Sequence, residues 1–198
     1  MKNKQLVAKI IRTITVPPVM VLTMLIILWF QNNELFSRIS DAVVAVCGLA
    51  IVPVLAYPLQ KYIKSYKDMG REGQRKLAFL FSVIGYGLSL IYGLIAGVHS
   101  ELLFIFFTYF LSVIFLVISN KLLHIKASGH ACSITGPLVF LSYFLGVNAI
   151  LPCLVIFSLI CWSSLALKRH SKQELFFGAL VCIIAFLLTL VGFLFFFY

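Results

Sequence analysis

Two short stretches of this chain hold residue types suited to group-transfer chemistry. The first is Lys126-Ala127-Ser128-Gly129-His130, directly before an apolar run. A Ser-Gly pair at a helix start frees backbone N–H groups, and with the helix dipole these make an anion site. Lys126 adds a full positive charge. Taken alone, this stretch reads equally well as a helix N-cap with a stray histidine. The second runs from Ser163 through His170 to Glu174. His170 and Glu174 are four residues apart, so on a helix they share a face and the carboxylate can reach the imidazole. A carboxylate on one ring nitrogen fixes the tautomer and leaves the other nitrogen as a nucleophile or base. Ser163 lies two helical turns before His170, on the same face. Taken alone, this stretch reads first as a solvated, charged turn between two membrane helices. His99 and His124 have no such company and read as interfacial polar residues.

The elements that must position these residues follow from composition. Of 198 residues, 62% are hydrophobic and 11% are charged, against about half and a quarter in a soluble domain. A water-soluble fold of this length cannot hide that much apolar surface, so the bilayer is its natural solvent. Seven segments approach the roughly 20 apolar residues of a crossing helix, at about 14–30, 42–60, 77–96, 101–120, 131–147, 149–167 and 174–197. The stretch 131–167 is too long for one crossing at about 1.5 Å per residue. Gly146, Asn148 and Pro152 supply the break, so two helices and a tight turn are expected. The expected fold class is an all-α polytopic bundle of about seven (six to seven) transmembrane helices, with residues 1–198 as a single transmembrane domain.

The net charge of +10 would point to nucleic acid in a soluble protein. Here the cations sit in the gaps between apolar runs, so nucleic acid is not an expected partner. Of the 16 Lys and Arg, only Arg38 falls in an expected outer loop. That asymmetry places the N-terminus in the cytoplasm and the C-terminus outside. The basic stretch Met1–Arg12 leads into an apolar run that ends in Trp29-Phe30-Gln31-Asn32-Asn33, with no small-residue cleavage site. It reads as a retained first helix rather than a signal peptide. The charged stretch 61–76 is expected to extend a helix past the membrane surface. Five cysteines (Cys47, Cys132, Cys153, Cys161, Cys182) lie in or beside apolar runs, and they read as packing residues, not a disulfide framework.

Together the two clusters resemble the type 2 phosphatidic acid phosphatase superfamily, the lipid phosphate phosphatases, in a divergent bacterial-type form. That family carries the motifs KxxxxxxRP, PSGH and SRxxxxxHxxxD, in that order. Ser128-Gly129-His130 matches the second, with Ala127 in place of Pro. Ser163, His170 and Glu174 match the third at its spacing, with Ser164 in place of Arg and Glu in place of Asp. Lys64 and Arg71 keep the spacing of the first, but Glu72 stands where Pro belongs. Arg71 and Arg75 also fit an Arg-x-x-x-Arg loop similar to that of some divergent members. The resemblance covers a core of about 60–180.

The resemblance implies hydrolysis through a phosphohistidine, with no metal and no other cofactor. In that scheme His170 attacks phosphorus, Glu174 orients it, and His130 protonates the leaving oxygen. Lys126, Arg71, Arg75, Lys64, Ser163 and the Ser128-Gly129 backbone hold the phosphate. Arg169 or Lys126 is the expected stand-in for the missing arginine of the third motif. The implied substrate is a lipid phosphate of the phosphatidate, phosphatidylglycerol phosphate or polyprenyl type. Its head lies at the cytoplasmic rim of a bacterial cytoplasmic membrane, among membrane lipids, and its tail enters laterally. The competing expectation is a catalytically inactive relative that binds lipid head groups or serves as a scaffold, which the departures at Ala127, Ser164 and Glu72 favour. A transporter is disfavoured, because the apolar spans are nearly free of ionisable residues.

Overall fold

The computed structural model describes residues 2–32 and 34–197. Among the described residues all regular structure is helical. Helix α1 (Lys2–Ile14) carries Lys4, Lys9 and Arg12 among exposed Leu6, Val7, Ile10 and Ile14, with Ala8 buried. A short helix that mixes basic and apolar groups in this way suits the membrane–water interface. Pro17 and Pro18 open α2 (Pro17–Gln31), where a fixed φ and a missing N–H are tolerated. The two helices meet at 53° instead of continuing, so the first apolar run becomes helical span only from Pro17.

Helices α3 (Ile39–Val46) and α4 (Val52–Leu59) are joined by one π-helical stretch, Cys47–Ile51, into a span Ile39–Leu59. Pro53 cannot donate to the regular ladder, and the wider turn before it absorbs that loss. Gly48 within this stretch lies against Gly85 and Ser89 of α6 (Gly70–Ala96); a Cβ on Gly48 or Gly85 would collide with the other helix. Small residues of this kind let membrane helices approach closely where lipid supplies no hydrophobic drive. Between α4 and α6, the short α5 (Lys64–Lys67) is held by Gln60, whose Nε2 donates to Tyr66 O at 2.9 Å and Gly70 O at 2.7 Å. As expected from the charge pattern, α6 begins well before its apolar run and carries Arg71 and Arg75 in the extension.

The second half is α7 (Ser100–Lys121), α8 (Gly129–Leu145), α9 (Val147–Ala166) and α10 (Lys172–Phe197). The break between α8 and α9 falls at Gly146, whose φ of 73° is the left-handed turn that glycine allows. Helix α8 sits at the centre, against α2, α7, α9 and α10. Phe104 of α7, Phe140 of α8 and Phe186 of α10 form the middle of the core. Their ring centroids lie 5.2 to 5.3 Å apart in tilted and edge-on geometry, which suits the aromatic quadrupole.

Among the described residues five spans are long and apolar enough to cross a bilayer: Ile39–Leu59, α6, α7, α9 and α10. Taken together as one broken span, the bent α1–α2 pair makes a sixth, and α8 is a shorter apolar helix of 17 residues. At about 1.5 Å per residue, α8 covers roughly 25 Å, the low end of what crossing requires. All seven apolar segments expected from the sequence are helical. The chain is therefore an all-α polytopic membrane bundle. Its outward faces are apolar, with Ile95 at 83% exposure and Val147 at 81%, an arrangement that lipid solvates and water does not.

Candidate active site

The two histidines come together at one end of the bundle. Their rings are nearly parallel, 7° apart in tilt, with centroids separated by 6.4 Å. Each is placed by a helix start. Ser128 is the N-cap of α8, and its Oγ accepts from Ala131 N at 3.2 Å. That leaves His130 in the first turn. Its Nε2 is buried without a hydrogen-bond partner among the described residues. His170 precedes α10 and is not part of it. Ser171 caps that helix, its Oγ accepting from Glu174 N at 3.1 Å. Ser-x-x-Glu is the capping-box pattern, in which the glutamate reaches back to the cap residue. Here Glu174 reaches one residue further, and its Oε2 lies 3.0 Å from His170 Nδ1.

This contact fixes the proton positions. A carboxylate only accepts, so His170 Nδ1 carries the hydrogen and Nε2 keeps its lone pair. Ser128 Oγ lies 3.4 Å from that Nε2. The serine already accepts from Ala131, so its own proton is free to point at the histidine. The potential nucleophile is thus oriented from one side and lightly covered from the other. Burial lowers the His170 pKa, Glu174 restores part of the loss through its hydrogen bond, and the charges of Arg12 and Arg75 push it down again. The ring is therefore neutral, and able to attack, at physiological pH.

Close packing holds the two helix starts in register. Ser128 N donates to Glu174 O at 2.9 Å, a direct backbone link between the α8 cap and the first turn of α10. Gly178, one turn beyond Glu174, makes the approach possible, because a Cβ there would collide with Ser128 O and press on Ala131. Asn120 braces the other side. Its Nδ2 donates to Leu116 O at 2.9 Å and Ala127 O at 3.1 Å, and its Oδ1 accepts from Ala127 N at 3.3 Å. That last bond bears on the departure from PSGH. A proline at 127 would have no N–H to give. Neither Gly178 nor Asn120 was singled out by the motif pattern. Gly178 does continue the four-residue stripe of His170 and Glu174, a signal readable in retrospect.

The remaining expected residues divide. Arg71 and Arg75 stand exposed on the first turns of α6. Their charges reach the site, Arg75 at His170 and Arg71 at Arg12. Gly129 starts α8 beside Leu116 and Phe79, where an added Cβ would make only ordinary contact. Lys126 and Lys64 are exposed, and neither makes a side-chain hydrogen bond or ion pair among the described residues. Ser163 departs from the expectation. It is fully buried, and its hydroxyl donates to Ile160 O at 2.8 Å, within its own helix. The assumption of one continuous face from 163 to 170 fails because α9 ends at Ala166 and Lys168 turns left-handed, with φ of 51°.

An unexpected arginine enters instead. Arg12 Nη1, from the last turn of α1, donates to Ser164 Oγ at 2.8 Å across 152 residues of sequence. Burial, then the like charges of Arg169 and Arg71, hold its pKa below the usual value. Its charge is also felt at His170. Among the described residues, no carboxylate forms an ion pair with Arg12, Arg71, Arg75 or Arg169. Nor do three His, Cys, Asp or Glu side chains gather among them as a metal site requires. Two surface hollows lie elsewhere: one under Trp29 and Phe36, the other an open strip of α9 from Leu154 to Trp162.

What this arrangement can do is transfer a group to nitrogen. It has an oriented imidazole, a second imidazole beside it with an unclaimed nitrogen, and surrounding cations without counter-ions. No family model matches the chain, and no curated protein or solved structure is found to be similar to it.

Proposed function

We propose that this protein is a membrane lipid phosphatase of the lipid phosphate phosphatase type, acting through a phosphohistidine. The observation that carries the reading is the His170–Glu174 pair set beside His130 among unpaired arginines. In the proposed reaction, His170 Nε2 forms a bond to phosphorus while the bond from phosphorus to the lipid oxygen breaks. His130, having taken up a proton from solvent as the phosphate binds, gives that proton to the lipid oxygen. The negative phosphate, once bound, is the partner its Nε2 lacks, and favours the protonated ring. Water then attacks the phosphohistidine with His130 as base, and inorganic phosphate leaves. The arginines and the α8 N-terminus offset the charge that gathers on the phosphoryl oxygens.

Several features support a lipid substrate. The site lies at the end of an apolar bundle, and in a bilayer the ends of crossing helices meet the head-group region. The cations crowd that same end, which by the positive-inside rule is the cytoplasmic one. The substrate class is a phosphomonoester or diphosphate lipid of the phosphatidate, phosphatidylglycerol phosphate or polyprenyl phosphate type.

The test is phosphate release by the detergent-purified protein, with chelator present, from phosphatidate, phosphatidylglycerol phosphate and undecaprenyl diphosphate. Release that survives chelator is expected, and His170→Ala should lower it by about a thousandfold or more and abolish acid-labile labelling. Inverted vesicles should turn over added substrate faster than right-side-out ones. A His170→Ala protein retaining more than a few percent of the activity would sink the assignment. No release from any of the three lipids would favour the inactive, head-group-binding alternative.

A further inference from the structure

Three features of Arg12 stand out. It is partly buried at the end of an amphipathic helix, yet among the described residues its one side-chain bond is to a neutral serine, Ser164 Oγ at 2.8 Å. The rest of its fork of N–H donors has no acceptor among the described residues, whereas guanidinium groups held in protein normally meet carboxylates or phosphates through that fork. Its neighbours in charge are Arg71 and Arg169, like charges that repel it, and both histidine rings lie within its field. Guanidinium groups brought together without a counter-ion cost free energy in the empty state. A shared anion reverses that cost.

The position of Ser164 adds a second argument. This buried residue lies in the last turn of α9, one step after Ser163 and shortly before the turn that presents His170. A long cationic side chain rooted at 164 would occupy the space that Arg12 fills from α1. The chain thus has a small hydroxyl at that point and a guanidinium delivered to it from a different helix.

We propose that Arg12 is a direct ligand of the phosphoryl group in this site, anchored by Ser164 and delivered by α1. The inference rests on the phosphatase reading for its chemistry, but only on anion binding for its test. In consequence α1 is a wall of the site. A helix lying at the membrane surface then places the cation at the depth of a lipid phosphate.

The experiment measures inorganic phosphate binding by calorimetry, and lipid turnover in parallel, in zwitterionic detergent. The proteins are wild type, Arg12→Gln, Arg12→Lys, the double variant Arg12→Gln/Ser164→Arg, and Lys9→Gln as a control on exposed α1. Arg12→Gln should weaken phosphate binding and turnover by about a hundredfold. Arg12→Lys should fall between it and wild type, since it keeps the charge and loses the fork. The double variant should recover most of the loss, which a purely structural role for Arg12 does not predict. Should Arg12→Gln fold poorly, Arg12→Lys and the double variant carry the test, with unfolding midpoints as the check.

Phosphate affinity unchanged in Arg12→Gln, an equal loss in Lys9→Gln, or no phosphate binding by wild type would each overturn the proposal. Arg12-dependent phosphate binding without turnover of any lipid would uphold it while removing the phosphatase reading. Turnover that ignores Arg12 would do the reverse.

Discussion

Arg38 and Arg12 mark the two ends of the bundle, with α6 running between them. At its far end, Ala96 O accepts from Arg38 Nη2 at 2.9 Å. Arg38 also pairs with Asp41, Nη2 to Oδ1 at 3.2 Å, and Asp41 is fully buried. The same carboxylate accepts from the Tyr92 hydroxyl at 2.8 Å and from Arg38 N at 3.1 Å. Nearby, Asn32 Nδ2 donates to Glu101 Oε2 at 2.6 Å. On this rim Arg38, Asp41 and Glu101 each meet a polar partner within the chain, and these bonds tie α3 to α6 and α2 to α7. At the near end, Arg12, Arg71, Arg75 and Arg169 have no carboxylate partner among the described residues. Glu174, which could have supplied one, is turned to His170. The difference teaches that the arginine at one rim is spent on holding helices together, while the four arginines at the other, beside the lone Lys76–Glu72 pair among the described residues, are the groups that the proposed function would use for an anion.

The sharpest way to break this contrast is Glu174→Gln. The amide can donate to His170 Nδ1, which selects the tautomer with a hydrogen on Nε2 and blocks attack. Loss of the correct tautomer costs about a hundred- to ten-thousandfold in turnover. The pH profile gives a second readout. Because the His170 pKa is lowered, the acid limb of kcat/KM in wild type should fall below the ordinary histidine value of about 6.5. Glu174 stabilises the imidazolium, so its removal should move the residual limb further to the acid side. A shift to the alkaline side would contradict the assigned contact.

Gly178→Ala is expected to act next most strongly. The added methyl meets Ser128 O and Ala131, so the two helix starts must part. Displacing a reacting group by about an ångström can cost on the order of a hundredfold in rate. Overpacking of this kind also costs about 1–3 kcal/mol of stability. Turnover assays and thermal unfolding measure the two effects, and no change in either would mean the close approach constrains nothing.

Arg38→Ala should show the smallest effect on chemistry and a clear one on stability. It leaves Asp41 buried with fewer donors, at a cost of about 1–3 kcal/mol, while phosphate release at the opposite end stays at the wild-type level. A variant that unfolds normally but turns over slowly would erase the distinction between the rims.

Much of the candidate site was legible locally. Ser128 before an apolar run is an N-cap signal, and it caps α8. The four-residue spacing of His170 and Glu174 anticipated a contact, and it forms at 3.0 Å. Where local reasoning failed, a turn intervened. The two-turn spacing of Ser163 and His170 has meaning only along one unbroken helix, and the left-handed Lys168 ends that register. Lys64 and Lys126 carried the right charge in the right segments, but their side chains stand in the open.

The sequence by itself determined the class of molecule and its helical segments, because both depend on runs and periods within about 20 residues. It also determined which end of the bundle is cationic, since charges confined to short loops must alternate sides with the helices. Only the tertiary structure decided which of those cations matter. Arg12 reaches Ser164 across 152 residues, and Gly178 admits the backbone of Ser128 across the seam between α8 and α10. Neither contact leaves a periodic trace in the chain. Each arises from the way membrane helices find one another, by close approach of small residues and satisfaction of polar groups, which depends on three-dimensional fit and not on spacing along the chain.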